Sequence, residues 1–188
     1  MKTTNHHVAK AAFIITVGLA GLSTVISCST APPTAEGKSD LRHSSADALT
    51  QAQQNDPSMQ GLIQNSAGYV VFPSIGKGAI GVGGAYGKGD VYQNGAVVGY
   101  CDMTQGTIGV QLGGQDYAEI LIFQTPEAVD RFKTGNFTFD AQATAVAIKS
   151  GAGADAKFEN GVAVFTMDEA GLMYEASVGG QQFSYQAR

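Results

Sequence analysis

Thirteen of the chain's 25 glycines fall between Gly76 and Gly114, inside sequence that otherwise has the character of β-strand. A glycine in a strand gives up side-chain packing and costs backbone entropy, so this density implies a local need. The needs that glycine meets in strands are sharp bends, bulges, and the close passage of another backbone or a ligand. No repeat of fixed period accompanies the glycines.

The start of the chain has a different composition. Lys2 and Lys10, with His6 and His7, form a positive stretch, and an apolar run from Ala11 to Leu22 follows. That run is too short to span a bilayer comfortably and suits the core of a signal peptide. Val25-Ile26-Ser27 then precedes a lone Cys28. This order resembles the bacterial lipoprotein processing box, in which the Cys becomes the diacylated first residue of the mature chain. By that resemblance residues 1–27 are a lipoprotein signal peptide and Cys28 is the lipidation site. Ser29 rather than Asp after the Cys implies sorting to the outer membrane, facing the periplasm.

Cleavage before Cys28 leaves 161 of the 188 residues, the size of one domain. It removes two of 11 basic residues and none of 16 acidic ones, so the formal net charge moves from −5 to −7. An acidic domain argues against a nucleic-acid partner, whose binding depends on phosphate neutralisation. Contact with an anionic lipid surface must then come from a local patch of bases. With Cys28 acylated, Cys101 has no intramolecular partner; within Val97-Val98-Gly99-Tyr100-Cys101 it reads as a small buried hydrophobe.

Residues 28–39, rich in Ser, Thr and Pro, have the composition of a flexible tether. From Asp40 the spacing turns helical through Leu41, Ala48, Leu49 and Ala52, with Ser39 or Asp40 as N-cap. Asp56-Pro57 breaks this run, and a second short helix carries Met59, Leu62 and Ile63. Strands are expected at Tyr69–Phe72, ending at Pro73, then at Ala79–Tyr86 and around a hairpin turn at Asn94-Gly95. Others follow at Thr107–Leu112 and Tyr117–Phe123. One helix interrupts, with Thr125 as cap and Pro126 in its first position. Short strands resume at Phe137–Phe139, Ala143–Ile148 and Gly161–Thr166, and a last hairpin joins Leu172–Val178 to Gln182–Tyr185 through Gly179-Gly180. The implied class is α+β: a curled antiparallel sheet or partly closed β-barrel with N-terminal helices and one short inserted helix.

Motifs for catalysis and cofactors fail on context. Gly76-Lys77-Gly78-Ala79-Ile80-Gly81 fits G-x-G-x-x-G, but no helix starts there to meet a pyrophosphate. Gly87-Lys88-Gly89 lacks the upstream Gly and the Ser or Thr of a phosphate loop. His43 is the single histidine beyond the leader, leaving little to build a triad or a zinc site. The carboxylate pairs Asp168/Glu169 and Asp116/Glu119 sit in turn-like, solvated contexts. No catalytic residue, metal ligand or cofactor is expected.

The ordered series Ala67–Pro73 (AGYVVFP), Gly76-Lys77-Gly78, Gly83–Gly89 (GGAYGKG), Gly99-Tyr100, Ile108–Gln115 (IGVQLGGQ) and Gly171-Leu172-Met173 resembles the SYLF family of lipid-binding domains. The resemblance covers roughly residues 40–188. It implies phospholipid binding, which eukaryotic relatives perform on phosphoinositides through an N-terminal amphipathic helix and basic residues. Carried onto this chain, the lipid-binding residues are Leu41, Arg42, Leu49 and Leu62 of the helical region, with Lys77 and Lys88. The helix departs from the family pattern: from Asp40 onward it holds Arg42 as its one strong base, beside Asp40, Asp47 and Asp56. The expected function is an envelope lipoprotein whose domain binds phospholipid or another amphiphile without catalysis. The alternative is a structural or scaffold module that contacts envelope proteins and binds no lipid specifically. An enzyme acting on lipid or cell wall is the least supported reading, given the missing constellation.

Overall fold

A computed structural model describes residues 29–80, 82–108, 115–135, 137–139, 144–168 and 175–188. The expected leader and Cys28, residues 109–114 of the Ile108–Gln115 motif and the whole Gly171-Leu172-Met173 motif lie outside them. Two helices open the chain, α1 (Ala35–Asn55) and α2 (Ser58–Gln64). The strands β1 (Gly68–Ile80), β2 (Val82–Gln93), β3 (Ala96–Ile108) and β4 (Gln115–Phe123) come next. After α3 (Pro126–Lys133) follow β5 (Thr144–Ala147), β6 (Val162–Asp168), β7 (Glu175–Ser177) and β8 (Gln181–Ala187).

The eight strands form one sheet in the order β7-β5-β6-β4-β1-β2-β3-β8. All its ladders are antiparallel except β5 with β6, where Val146 faces Phe165 in parallel register. The class is α+β, with a curled sheet as expected, mixed rather than purely antiparallel. Its curl follows from connectivity. β7 and β8 are opposite edges, yet only Val178, Gly179 and Gly180 join them. Laid flat, eight strands would put the edges about 33 Å apart. The short connection reaches about 14 Å at most. The sheet must therefore wrap until its edges nearly meet. The expected last hairpin is corrected accordingly: its two arms pair with β5 and β3, not with each other.

Wrapping separates two cores. The enclosed face gathers Val70, Phe72, Ile75, Val91, Cys101, Met103, Leu121, Phe123 and Phe183 from across the sheet. Helix α3 adds Val129 and Phe132, and the Phe132 ring lies 5.1 Å from Phe123 and 5.4 Å from Phe183 between centroids. Helices α1 and α2 cover the outer face, where Ala48, Ala52, Met59 and Ile63 meet Val71, Ile120, Ile122 and Phe165. Alternation along β4, with Leu121 inward and Ile120 and Ile122 outward, is the two-residue period of a strand buried on both sides.

Local rules account for several boundaries. Thr125 accepts from Ala128 N at 3.3 Å and Pro126 opens α3, as expected. The β2–β3 turn has Asn94 at φ 51° and Gly95 at φ 74°, the paired left-handed conformation that a two-residue hairpin needs. Asn160-Gly161 repeats it before β6, a signal not used in the sequence reading. Pro73 does not end its strand: β1 runs through it, because the register shifts between Phe72 and Ile75 and the missing N–H falls in that irregularity. The expected single strand Ala79–Tyr86 is instead the end of β1 and the start of β2, paired as Ile80 with Val82. Phe137–Phe139 forms only an isolated bridge at Thr138 with Gln182.

The glycines divide by position. A Cβ on Gly89 would lie 2.8 Å from the Phe72 ring and from Val71 O, and one on Gly99 would lie 2.5 Å from the Tyr185 ring. On Gly84 the nearest atom, Gln105 O, is at an ordinary 3.5 Å. Close approach is thus a requirement at Gly89 and Gly99, and at Gly84 it is not. Gly89→Ala and Gly99→Ala should each lower stability by about 1–3 kcal/mol through overpacking. Gly84→Ala should stay within about 0.5 kcal/mol of wild type. Thermal melts of the three variants check this, and equal midpoints would refute the division.

Candidate functional site

Helix α1 starts five residues before the expected position. Thr34, not Ser39 or Asp40, is its N-cap and accepts from Gly37 N at 3.0 Å. The earlier start draws Lys38 into the helix, one turn before Arg42 and on the same face. The sheet-facing seam next to them is Ser45, Ala48 and Ala52, small side chains that bring the helix close to the strands. Lys38 and Arg42 then stand beside Tyr100 of β3. Together with Ala35, Ser39, Tyr100 and Arg188 they line a cleft of about 280 Å³. The Lys38 ammonium sits 5.6 Å from the centroid of the Tyr100 ring, within cation–π range. Arg188 is positioned by its own N–H, which donates to Val98 O at 3.1 Å. Lys38, Arg42 and Arg188 take part in no ion pair among the described residues.

Behind this cleft lies Asp90, fully buried on β2 opposite Tyr100. Neither of its carboxylate oxygens has a hydrogen-bond partner, nor does Ser45 Oγ. Burial pushes the Asp90 carboxyl above its ordinary value, and the nearby Ser45 hydroxyl and the charges of Arg42 and Arg188 offset only part of that. Arg42 and Arg188 thus add to the Ser45 hydroxyl in partly compensating a buried charge.

The other expected lipid-binding residues fall elsewhere. Leu49 and Leu62 are partly buried and pack against the outer-face core; Leu41 is also half-buried. Leu49 and Leu62 thus face the sheet. Of Lys77 the structure describes the backbone, paired with Ala85 and Gln115. Lys88 is committed within the molecule: its ammonium donates to Asp102 Oδ1 at 2.9 Å, Thr30 O at 3.0 Å and Ser29 O at 3.1 Å. Three acceptors use all three of its donors. Burial works against the Lys88 charge, but Asp102 and Tyr86 outweigh it and hold the group above its ordinary value.

Residues 35–39, expected as tether, are the first turn of α1, and Ala31 and Pro32 before them are buried. The expected solvated carboxylate Glu119 is fully buried in mid-strand β4, where it accepts from Gln181 Nε2 at 3.0 Å. Cys101 is buried as expected, its thiol pushed up by burial and then by the charges of Asp102, Asp90 and Glu119. A second pocket of about 290 Å³ opens beside β6 over Phe139, Val146, Val164 and Val178. Its lining sets Lys157 against two acids, Asp155 and Glu159, so it does not favour an anion. Among the described residues no three His, Cys, Asp or Glu converge to hold a metal, and no helix is long and apolar enough to cross a membrane.

Residues 104–187 match the family described as Ysc84, Las17-binding protein actin regulator. Beta cell expansion factor A of Aeromonas veronii, itself a SYLF-family protein, is 27% identical to the chain over 137 residues. Residues 104–187 are thus similar to a Ysc84/SYLF domain. The alignment takes in 72% of this chain and 52% of the relative, so the chain spans about half the length of the curated relative it matches. Ysc84/SYLF is not a known enzyme family. The matched residues, 104–187, run from β3 through β8 and stop one residue short of Arg188 in the cleft.

Asp90→Asn removes the buried charge while keeping the shape. An acid whose folded pKa is raised destabilises the fold most above that pKa, and not at all below its unfolded value. Asp90→Asn should therefore raise the thermal midpoint at pH 7, by an amount on the order of 1 kcal/mol of stability. The gap should close as pH falls into the ordinary carboxylate range, where wild-type Asp90 is protonated as well. A gap independent of pH would mean that Asp90 is not the titrating group.

Proposed function

We propose that this protein is a lipid-anchored, non-catalytic component of the bacterial outer membrane whose domain binds anionic phospholipid, or another anionic amphiphile, in the Lys38–Arg42–Arg188 cleft. One observation carries the reading: in a chain of net charge −5, three cations free of ion pairs among the described residues line one cleft with Tyr100. The match of residues 104–187 to a domain family known for lipid binding supports it. Near an anionic surface each such base contributes about 1 kcal/mol, so three together can outweigh a modest general repulsion. The cleft thereby takes over the headgroup role expected of Lys88, and Arg42 keeps its part. Acylation of Cys28 would hold the domain at the bilayer, so that weak affinity in the cleft suffices.

Flotation of residues 29–188 with vesicles of phosphatidylglycerol and phosphatidylethanolamine tests the reading. Lys38→Glu with Arg42→Glu should reduce the bound fraction at least tenfold, corresponding to about 1.4 kcal/mol or more. The wild-type interaction should weaken as salt rises from 0.05 to about 0.5 M, because screening removes the same attraction. Binding that ignores both the substitutions and the salt would refute the cleft. No binding at all would favour a scaffold module that contacts envelope proteins.

A further inference from the structure

We infer that the domain is mounted on its anchor without a tether, so that a latch at Ser29–Ala31 aims the basic cleft at the bilayer. The inference rests on the acylation of Cys28 proposed above. Its structural basis lies in the residues directly after that cysteine. Lys88 holds the carbonyls of Ser29 and Thr30 at 3.1 and 3.0 Å. Gln186 Oε1 accepts from Ser29 Oγ at 3.2 Å and from Ala31 N at 3.1 Å. Ala31 is 3% exposed, Pro32 is buried, and Thr34 caps α1. The chain is therefore fixed to β2 and β8 from its first residue after Cys28.

Magnitudes decide what that fixing does. A free linker over residues 28–39 would spread the domain over a root-mean-square distance of about 19 Å from its anchor. Fixed at Ser29, the anchored residue lies one Cα step, about 3.8 Å, from the folded body. The exit point is also beside the cleft. Gln186 of the latch is the register partner of Tyr100 in the cleft floor, and Arg188 follows Gln186 by two residues. The Lys88 partner Asp102 lies two residues beyond Tyr100 on β3. A bilayer holding the acyl chains thus meets Lys38, Arg42 and Arg188 first, and their charge complements anionic headgroups. The other end of the molecule is held away. Helix α1 runs about 30 Å to Asp56, whose carboxylate accepts from Gly151 N at 3.1 Å and Gly153 N at 2.7 Å.

The test uses the full acylated chain in vesicles of phosphatidylglycerol and phosphatidylethanolamine that carry a nitroxide on some headgroups. A fluorophore is placed on Ser39→Cys or on Ala154→Cys, both exposed positions, while native Cys101 is buried and unreactive. Quenching should be at least threefold greater at position 39 than at 154. Inserting ten Ser and Gly residues after Cys28, beginning with Ser, leaves the domain untouched and should bring the ratio toward one; Lys88→Met should move it the same way. Equal quenching at both positions, or an unchanged ratio after the insertion, overturns the mounting. Fatty-acid labelling of the same samples separates the two ideas. Absence of label on wild type defeats the Cys28 assignment and the mounting with it, whereas labelled protein with equal quenching defeats the mounting alone.

Discussion

The three residues between β7 and β8 are the constraint on which the fold depends. Because they tie opposite edges of an eight-stranded sheet, they force one face inward and set which side chains become the enclosed core. A sheet bent this far brings neighbouring strands and inward rings into contact at a few points. Gly89 under Phe72 and Gly99 under Tyr185 are such points, where even a methyl group has no room. Gly180, at φ 76°, lets the connection itself turn. Curl and glycine content are two aspects of one geometric demand.

A second consequence concerns α1, which must lie on the convex outer face. Its buried seam of Ser45, Ala48 and Ala52 offers little apolar area, so burial alone stabilises its docking weakly. Polar clamps at both ends compensate. At the start stand the Lys88 and Gln186 contacts to Ser29–Ala31. At the finish Asp56 caps the helix and accepts from Ser58 N and Oγ, Gly151 N and Gly153 N. Burial would raise the Asp56 carboxyl, but these bonds win and hold it below its ordinary value. That clamp therefore contributes above the ordinary carboxylate range and is lost as pH falls through the lowered value. Charge-assisted bonds of this kind are the stronger class, which suits a helix with so little to bury.

What the sequence disclosed follows the range of the forces involved. Turns and caps are local, and Asn94-Gly95, Thr125 with Pro126, and the break at Asp56-Pro57 were legible from a few adjacent residues. Partners across the sheet were not. Gly179-Gly180 has the chemistry of a hairpin turn, and only the ladders of β5 and β3 show that its two arms go to opposite edges. Pro73 signals a strand end unless a bulge takes up its missing N–H, and that bulge depends on β2 and β4. Residues 28–39 have the composition of a linker, because the Lys88 that captures their start lies 59 residues beyond Ser29. The same limit hid half of the site: taking α1 to begin at Asp40 removed Lys38, and nothing local ties Arg188 to either base.

The charge pattern around the cleft has an internal logic. A buried, hydrogen-bond-poor carboxylate such as Asp90 is costly, and two of the three cleft cations partly compensate for it across the sheet. Those arginines do so from exposed positions, so their outer faces stay available to a second anion. Asp90 thus favours holding positive charge at this rim of an acidic protein while remaining out of reach of any ligand. Lys88 shows the opposite arrangement a short distance along β2: its acceptors within the molecule saturate it. The difference between a committed and an available cation lies here in how many donors the fold has already used, which the count of basic residues does not reveal.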